Sequence, residues 1–375
     1  MTIHKKVGVV SIRPKIDPHS MSFEDSYKGI GLNTGNMMFT AAIYDQIDAE
    51  LMHVDYDFDP SYINSTFDVL VIPAANWLGI HSNWDWLVSQ IEEIEIPVVT
   101  VGIGAQAPNS RLDTVDWNDS SVRLARILAS KAPYLSTRGH YTTSCLQRLG
   151  ILNVITTGCP SIYRQFPRVG GQPATGNLVI QSTRYGITKS FAEEPSLNQV
   201  LFRFAFEHKL DMVYQSEPEE MNYLIEGETA EIFTRKPYHL SALQDLYGAK
   251  TSISLKSYLD QHGKVFYDLE QWSRYIQSAS GVLGTRLHGA IIALNSGVPA
   301  VLIPHDSRTS ELIAFAKIPS AEFRSFNWME REMAQMPEIV DQIGYYEETR
   351  KFNHDVYRQF LTANGLGERS SSIVQ

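Results

Sequence analysis

Arg286 and His288 stand two residues apart in Gly284-Thr-Arg-Leu-His-Gly289. A guanidinium and an imidazole side by side can hold a small anion and exchange a proton with it. The flanking sequence predicts where they lie. Val282 and Leu283 end a buried strand at Gly284, and Thr285 is placed to cap a helix. Leu287, Ala290, Ile291 and Leu294 then recur at helical spacing, Gly297 stops the helix, and Pro299 to Ile303 reads as the next strand. Arg286 and His288 therefore fall in the first helical turn, where unpaired N–H groups and the helix dipole favour anions. An Arg paired with a carboxylate and a His filling a polar gap would use the same residues without chemistry. Charge type, position and punctuation together favour the anion site.

Further polar clusters follow other strands, the ends at which open parallel sheets collect ligands. Asn33, Gly35 and Asn36 open a helix after the first strand and its loop. Gly102, Gly104 and Gln106 follow a central strand, and Ser136, Thr137 and Arg138 the next. Ser182, Thr183 and Arg184 follow a strand in the second half, and His305, Asp306, Arg308 and Glu311 the last one. Each also has a plainer reading. The glycines can make a tight turn, Arg138 and Arg184 can be structural ion pairs, and Asp306 and Glu311 can serve the start of the following helix.

The elements that carry these clusters alternate. Apolar runs at Lys6–Ile12, Phe67–Pro73, Ile96–Val101, Pro133–Thr137 and Val154–Thr157 read as strands, with helices between them. The segment Arg13–Ile30 is long, charged and proline-containing, and reads as a functional lid or a poorly ordered connection. A stretch rich in Pro and Gly, Phe166–Gly176, marks a boundary, after which the pattern restarts with strands at Leu178–Gln181, Leu210–Tyr214 and Val265–Tyr267. The fold class is α/β with covered parallel sheets. The divisions are an N-terminal domain over 1–170, a C-terminal domain over 176–325, and a helical segment with a loose tail over 326–375. Trp77, Trp84, Trp86 and the Tyr345-Tyr346 pair read as core, with stacking on a sugar as the other option.

Composition excludes several classes. The chain has 375 residues, 43% hydrophobic and 20% charged, with a net charge of −10. That charge speaks against a general nucleic-acid binder and requires any anionic ligand to find a local positive pocket. The two cysteines, Cys145 and Cys159, and the lack of a secretory signal point to the cytoplasm. No run is long enough for a transmembrane helix, while peripheral membrane association and homo-oligomer formation stay open. The histidines show no metal-ligand spacing, and there is no nucleophile elbow and no P-loop.

Four motifs give the chain a resemblance to the polysaccharide pyruvyl transferase family over most of residues 5 to 320. Asn33-Thr-Gly-Asn36 resembles the family's helix start, with Asn36 where the family usually has Asp. Val101-Gly-Ile-Gly-Ala105 resembles its glycine turn, and Leu135-Ser-Thr-Arg-Gly-His-Tyr-Thr142 with Gly158-Cys-Pro-Ser161 its central segment. Gly284–Gly289, with Gly297-x-Pro299 and Asp306-x-Arg308, resembles its C-terminal signature and is the most specific of the four. The resemblance implies two Rossmann-like domains facing a cleft, as in two-domain (GT-B-like) glycosyltransferases. It implies transfer of pyruvate from phosphoenolpyruvate to a sugar diol as a cyclic ketal, with release of phosphate, in surface or exopolysaccharide biosynthesis. Arg286, Leu287, His288 and Thr285 would meet the donor, with Arg184 as a second donor-binding arginine and His288 as the catalytic acid. Asn33, Gly35, Asn36, Gly104, Gln106, Arg138, Asp306, Arg308 and Glu311 would line the acceptor side or the cleft. No metal or organic cofactor is implied. The acceptor could be a lipid-linked oligosaccharide, a nucleotide sugar or a polymer. Two rivals stand beside this reading. One is a nucleotide-sugar-dependent glycosyltransferase, with Glu311 gripping a ribose and Arg286 a diphosphate. The other is a non-catalytic sugar- or nucleotide-binding module.

Overall fold

In the computed structural model the described residues are 5–107, 115–168, 178–183, 197–227, 230, 237–322 and 340–369. The expected domain boundary at 170–176 lies outside them, as does Arg184.

Runs that are apolar on both faces become buried parallel strands. In the first half these are β1 (Lys6–Val10), β2 (Glu50–Val54), β3 (Val69–Pro73), β4 (Leu78–Gly79), β5 (Val98–Val101), β6 (Ala105–Gln106), β7 (Leu135–Thr137) and β8 (Val154–Thr156). The main sheet has the order β2-β1-β3-β5, all parallel. A parallel bridge from Ile103 to Thr137 links its neighbourhood to the β7-β8 pair. The second half contains β9 (Leu178–Gln181), β10 (Asp211–Tyr214), β11 (Gly263–Val265), β12 (Gly281–Gly284) and β13 (Ala300–Leu302). Their order is β11-β10-β9-β12-β13, again parallel. In chain terms that is 3-2-1-4-5, the dinucleotide-fold order, and its switch point lies between β9 and β12. The residues after those two strands are Ser182-Thr183 and Thr285–His288, so topology alone brings the most informative motif to the ligand-collecting crevice.

Two glycines of that motif are required by close packing. A Cβ on Gly284 would lie 1.6 Å from the carbonyl oxygen of Gln181, and one on Gly289 would lie 1.4 Å from the Gln181 side-chain oxygen. The strand and the start of the helix Leu287–Asn295 therefore close onto β9 only without side chains at these positions. Gly297 takes a φ of +78° just past the helix, the left-handed residue that ends it.

For the segment Arg13–Ile30 one of the two expectations, a poorly ordered connection, is not met. It is not a loose connection: it forms a short helix, Phe23–Gly29, capped by Ser22, whose hydroxyl accepts from the Asp25 N–H. Tyr27 donates to the Ser216 carbonyl at 3.1 Å, and the Thr34 N–H donates to Gln215. The segment thus ties the first half to the second beside the cleft. The strand expected at Val265–Tyr267 lies two residues earlier, at Gly263–Val265.

One hydrophobic cluster runs from Val7 and Met37 in the first half to Leu283 and Ile291 in the second, and a separate one fills the far face of the first sheet. The helix Val340–Ala363 crosses from the second half back to the first. Tyr346 donates to Asn295 at 2.7 Å, and Tyr357 stacks on Tyr163 with centroids 5.0 Å apart. Beyond the helix, Arg369 donates to the carbonyls of Ile47 and Ala49. Among the described residues no helix is long and apolar enough to cross a membrane. The aromatic residues divide: Trp77 and Tyr346 are core, Trp84 is half-buried, and Trp86 and Tyr345 are exposed.

Candidate functional site

A cavity of about 240 Å³ opens between the halves. The first half contributes Asn33, Asn36, Phe39, Asn76 and Arg138, and the second contributes Thr183, Gln215, Ser216, Thr285–His288, His305 and Arg308.

Arg286 is held by its neighbours before any ligand arrives. It is the N-cap of the helix Leu287–Asn295, a place the sequence reading gave to Thr285. The Thr285 hydroxyl instead accepts from the Thr183 N–H at 2.9 Å, which fixes the two loops against each other. Arg286 Nε donates to the Ser182 carbonyl at 2.9 Å, and one Nη donates to the Ser216 hydroxyl and the Glu217 carboxylate. Glu217 is fully buried and also accepts from the N–H groups of Gln215 and Ser216, at 3.0 and 3.1 Å. A buried carboxylate with these partners keeps the guanidinium in one plane. The other Nη makes no bond to a described residue and belongs to the cavity edge.

Arg138 meets the cavity from the opposite side. Its nitrogens donate to the carbonyls of Gly102 and Ala74 and to Asn76 Oδ1, at 2.9, 3.2 and 3.3 Å. No carboxylate among the described residues is in ion-pair contact with it, and burial lowers its pKa. A buried guanidinium without a paired carboxylate is costly unless something anionic visits it. Gly104 makes room for this side chain, since a Cβ there would lie 3.0 Å from Arg138 Cδ.

His288 is buried within range of the Arg138 and Arg308 charges. Its ring centroid lies 5.7 Å from that of Phe39, and its Nε2 lies 3.7 Å from Cys159 Sγ. Burial first, then Arg138 and Arg308, push its pKa down to about 3, so the imidazole is neutral at neutral pH. The Ser161 hydroxyl donates to Cys159 Sγ at 3.0 Å, which orients the thiol behind the ring. Assigning the Nε2 hydrogen toward that sulfur leaves Nδ1, which bonds no described residue, for the cavity. Gly35 allows the approach: a Cβ there would lie 3.2 Å from the His288 Cβ.

The remaining expected residues divide. Asp306 caps the helix Ser307–Ala316 through a capping box with Thr309 and accepts from Arg308 Nε at 2.6 Å. Asn36 uses its amide to donate to the carbonyls of Ile30 and Gly31, at 3.2 and 3.0 Å. An Asp has no hydrogens to give those carbonyls, so this departure from the family pattern has a local cause. Gln106 and Asp306 line a neighbouring cavity. Gly35, Gly104 and Glu311 line neither. Glu311 accepts from the Thr142 N–H at 3.0 Å and from its hydroxyl at 2.8 Å, across the junction of the halves. Sequence reasoning did not single out Glu217, Gln215 or Ser216, and it named Cys159 only in the cysteine count and as part of a motif. The one local signal at Glu217 is the Pro that follows it, which marks a helix start and not a site.

These two buried groups set opposite pH slopes. His288 binds its proton less readily folded than unfolded, so its contribution to stability is lost as pH falls from about 6.5 toward about 3. Burial raises Glu311 to about 7, so its contribution is present below the ordinary carboxylate range and is lost as pH rises through about 7. Thermal melts across pH should therefore show His288→Asn losing less stability than wild type on the acid side, and Glu311→Gln gaining above neutrality. Unchanged slopes in both variants would remove this account.

No curated protein matches the chain. Several solved structures share its outline. The S. aureus MnaA–UDP co-structure is 10% identical, covers 96% of this chain and 98% of that one, and has a TM-score of 0.48. Anabaena HepE in complex with UDP and glucose is 8% identical, with 96% and 98% covered and a TM-score of 0.46. UDP-N-acetylglucosamine 2-epimerase from Rickettsia bellii is 11% identical, with 96% of each chain covered and a TM-score of 0.45. Likeness at that level carries no argument about activity, which rests on the site. The family model for polysaccharide pyruvyl transferase matches residues 33–307, a span that holds Asn33, Arg138, Cys159, Glu217, Arg286 and His288. The chain belongs to the polysaccharide pyruvyl transferase family.

Proposed function

We propose that the protein transfers pyruvate from phosphoenolpyruvate to a sugar diol, forming a cyclic ketal and releasing phosphate, in surface or exopolysaccharide synthesis. The observation that carries this reading is the convergence of Arg286, Arg138 and Arg308 on one cavity that also holds His288. Phosphoenolpyruvate carries a carboxylate and a phosphate, and guanidinium groups bind both with directed hydrogen bonds. Two of the three arginines already contact carboxylates, Arg286 with Glu217 and Arg308 with Asp306, whereas Arg138 is in ion-pair contact with no described carboxylate and feels Glu311 only at longer range.

His288 starts neutral. Burial is the larger cause of its low pKa; the donor's negative charge offsets the smaller one, the charges of Arg138 and Arg308, and to that extent binding raises its proton affinity. In this reading Nδ1 takes the proton of the first sugar hydroxyl and delivers it to the donor's methylene as that oxygen bonds to the central carbon. The second hydroxyl then bonds to the same carbon, the carbon–oxygen bond to phosphate breaks, and the phosphate leaves with the second hydroxyl's proton. Exclusion of water from the cleft would prevent loss of free pyruvate.

The glycosyltransferase alternative loses one of its two contacts, because Glu311 is engaged by Thr142 and lines neither this cavity nor its neighbour. The test is phosphoenolpyruvate carrying heavy oxygen at its bridging position. Ketal transfer puts the label in the released phosphate, because the carbon–oxygen bond is the one that breaks. Label retained on the pyruvyl carbon would mean phosphorus–oxygen cleavage and would refute the proposal.

A further inference from the structure

The cavity that holds His288 has a second imidazole in its wall, that of His305. β12 and β13 are parallel neighbours, and the Ile303 N–H donates to the Gly284 carbonyl at 2.8 Å, so their C-terminal ends open side by side. His288 follows the first of these ends and His305 the second, and both line the cavity together with Arg286 and Arg308. We infer that His305 is a second catalytic residue, which carries the proton of the second sugar hydroxyl to the departing phosphate. The inference rests on the pyruvyl-transfer reading and adds to it the group that serves the last step.

The first argument is the proton count. Ketal formation moves two hydroxyl protons. One ends on the donor's methylene, making a methyl group, and the other on the phosphate. A single imidazole moves both only if two hydroxyls and two receiving atoms all come within reach of one nitrogen. A second imidazole on the neighbouring loop removes that demand.

The second argument is placement. The His305 N–H donates to the Thr309 hydroxyl at 3.2 Å, and the ring Nε2 lies 3.7 Å from the Asp306 carboxylate. Asp306 is itself fixed by Arg308 Nε and by the Thr309 N–H. Backbone and ring are thus both held at the start of the helix Ser307–Ala316, on the same loop as Arg308. A donor phosphate drawn to Arg308 comes up beside His305.

The third argument is ionisation, which supports the geometry. Burial is the first cause of a lowered pKa at His305. The Asp306 carboxylate opposes it, the charges of Arg308 and Arg286 add to it, and a hydrogen bond to the backbone of Ile303 opposes it again. The balance favours the neutral ring, which has one N–H and one lone pair and can take a proton on one side while giving one up. In the last step the second hydroxyl oxygen bonds to the central carbon and its proton passes to His305. The carbon–oxygen bond to phosphate breaks, its electron pair stays with the phosphate, and the phosphate takes the proton.

The test follows phosphoenolpyruvate in D2O, where acceptor hydroxyls carry deuterium. The probes are methyl β-D-galactopyranoside, methyl β-D-glucopyranoside, methyl α-D-mannopyranoside and UDP-galactose, and the most active one is carried forward. The proteins are wild type, His305→Gln, His305→Ala and His288→Asn. Both His305 variants should release phosphate about a hundredfold more slowly than wild type, with calorimetric affinity for phosphoenolpyruvate within a few fold. In them the first addition still forms and reverses, so deuterium should enter the methylene of recovered phosphoenolpyruvate about tenfold or more faster than phosphate appears. His288→Asn should lose exchange and release alike. Release within about threefold of wild type, rescue by Gln alone, or loss of exchange together with release overturns the inference. Loss of phosphoenolpyruvate binding in both His305 variants marks a structural role and overturns it too. Wild type that fails to bind phosphoenolpyruvate, or to turn it over with any of the four probes, is a different result: it sinks the transfer reading beneath.

Discussion

His288→Asn should lower pyruvyl transfer about a thousandfold and leave phosphoenolpyruvate affinity within a few fold of wild type. General acid–base groups contribute roughly 10²–10⁴ to rate, and His288 is the buried imidazole inside the cavity, against the Phe39 ring. Affinity should survive because the free protein holds His288 neutral, so the substitution removes no charge that attracts the donor. Asn has no group that can take up a proton and pass it on, yet it is polar and close enough in size to keep the pocket filled. The split between kcat and KM is the readout: a loss confined to kcat marks an interaction made in the transition state. A variant within tenfold of wild-type kcat would remove His288 from the proton transfer.

Glu217→Ala should be the most destabilising single change near the site, by about 3–5 kcal/mol, the usual cost of breaking a buried pair from one side. Glu217 is 0% exposed. Its removal strands the Arg286 guanidinium and the N–H groups of Gln215 and Ser216 in one step. It also frees Arg286 to leave the cavity edge, so donor binding should weaken in whatever protein remains folded. Urea unfolding of wild type, Glu217→Ala and Glu217→Gln checks this; the amide should fall between the other two, since it can still accept from backbone but cannot balance the charge. A loss below about 1 kcal/mol in the alanine variant would mean that Arg286 is held by other groups.

What could be read from sequence here was what is local. The run Gly281–Ile303 announces strand, turn, helix and strand within a short window, so the positions of Arg286 and His288 followed from spacing. The order of Arg13–Ile30 was not legible because its helix, Phe23–Gly29, buries only Ser26 of its own residues and is held by a contact to Ser216, 189 positions away from Tyr27. β2 went unrecognised because it is a sheet edge in which only Val54 is fully buried. Glu217 and Cys159 were invisible as site residues for the same reason: they meet Arg286 and His288 across 69 and 129 positions of chain. Glu311 carried a misleading signal, since a carboxylate after a strand reads as a ligand contact, and only the packing of the halves turns it toward Thr142.

The most direct test of the account is calorimetric titration of phosphoenolpyruvate into wild-type and Arg286→Ala protein, with UDP run alongside and folding of both checked by circular dichroism. The account predicts binding of phosphoenolpyruvate to wild type, its loss in the variant, and no comparable binding of UDP. Clear binding of UDP, with none of phosphoenolpyruvate, would contradict it.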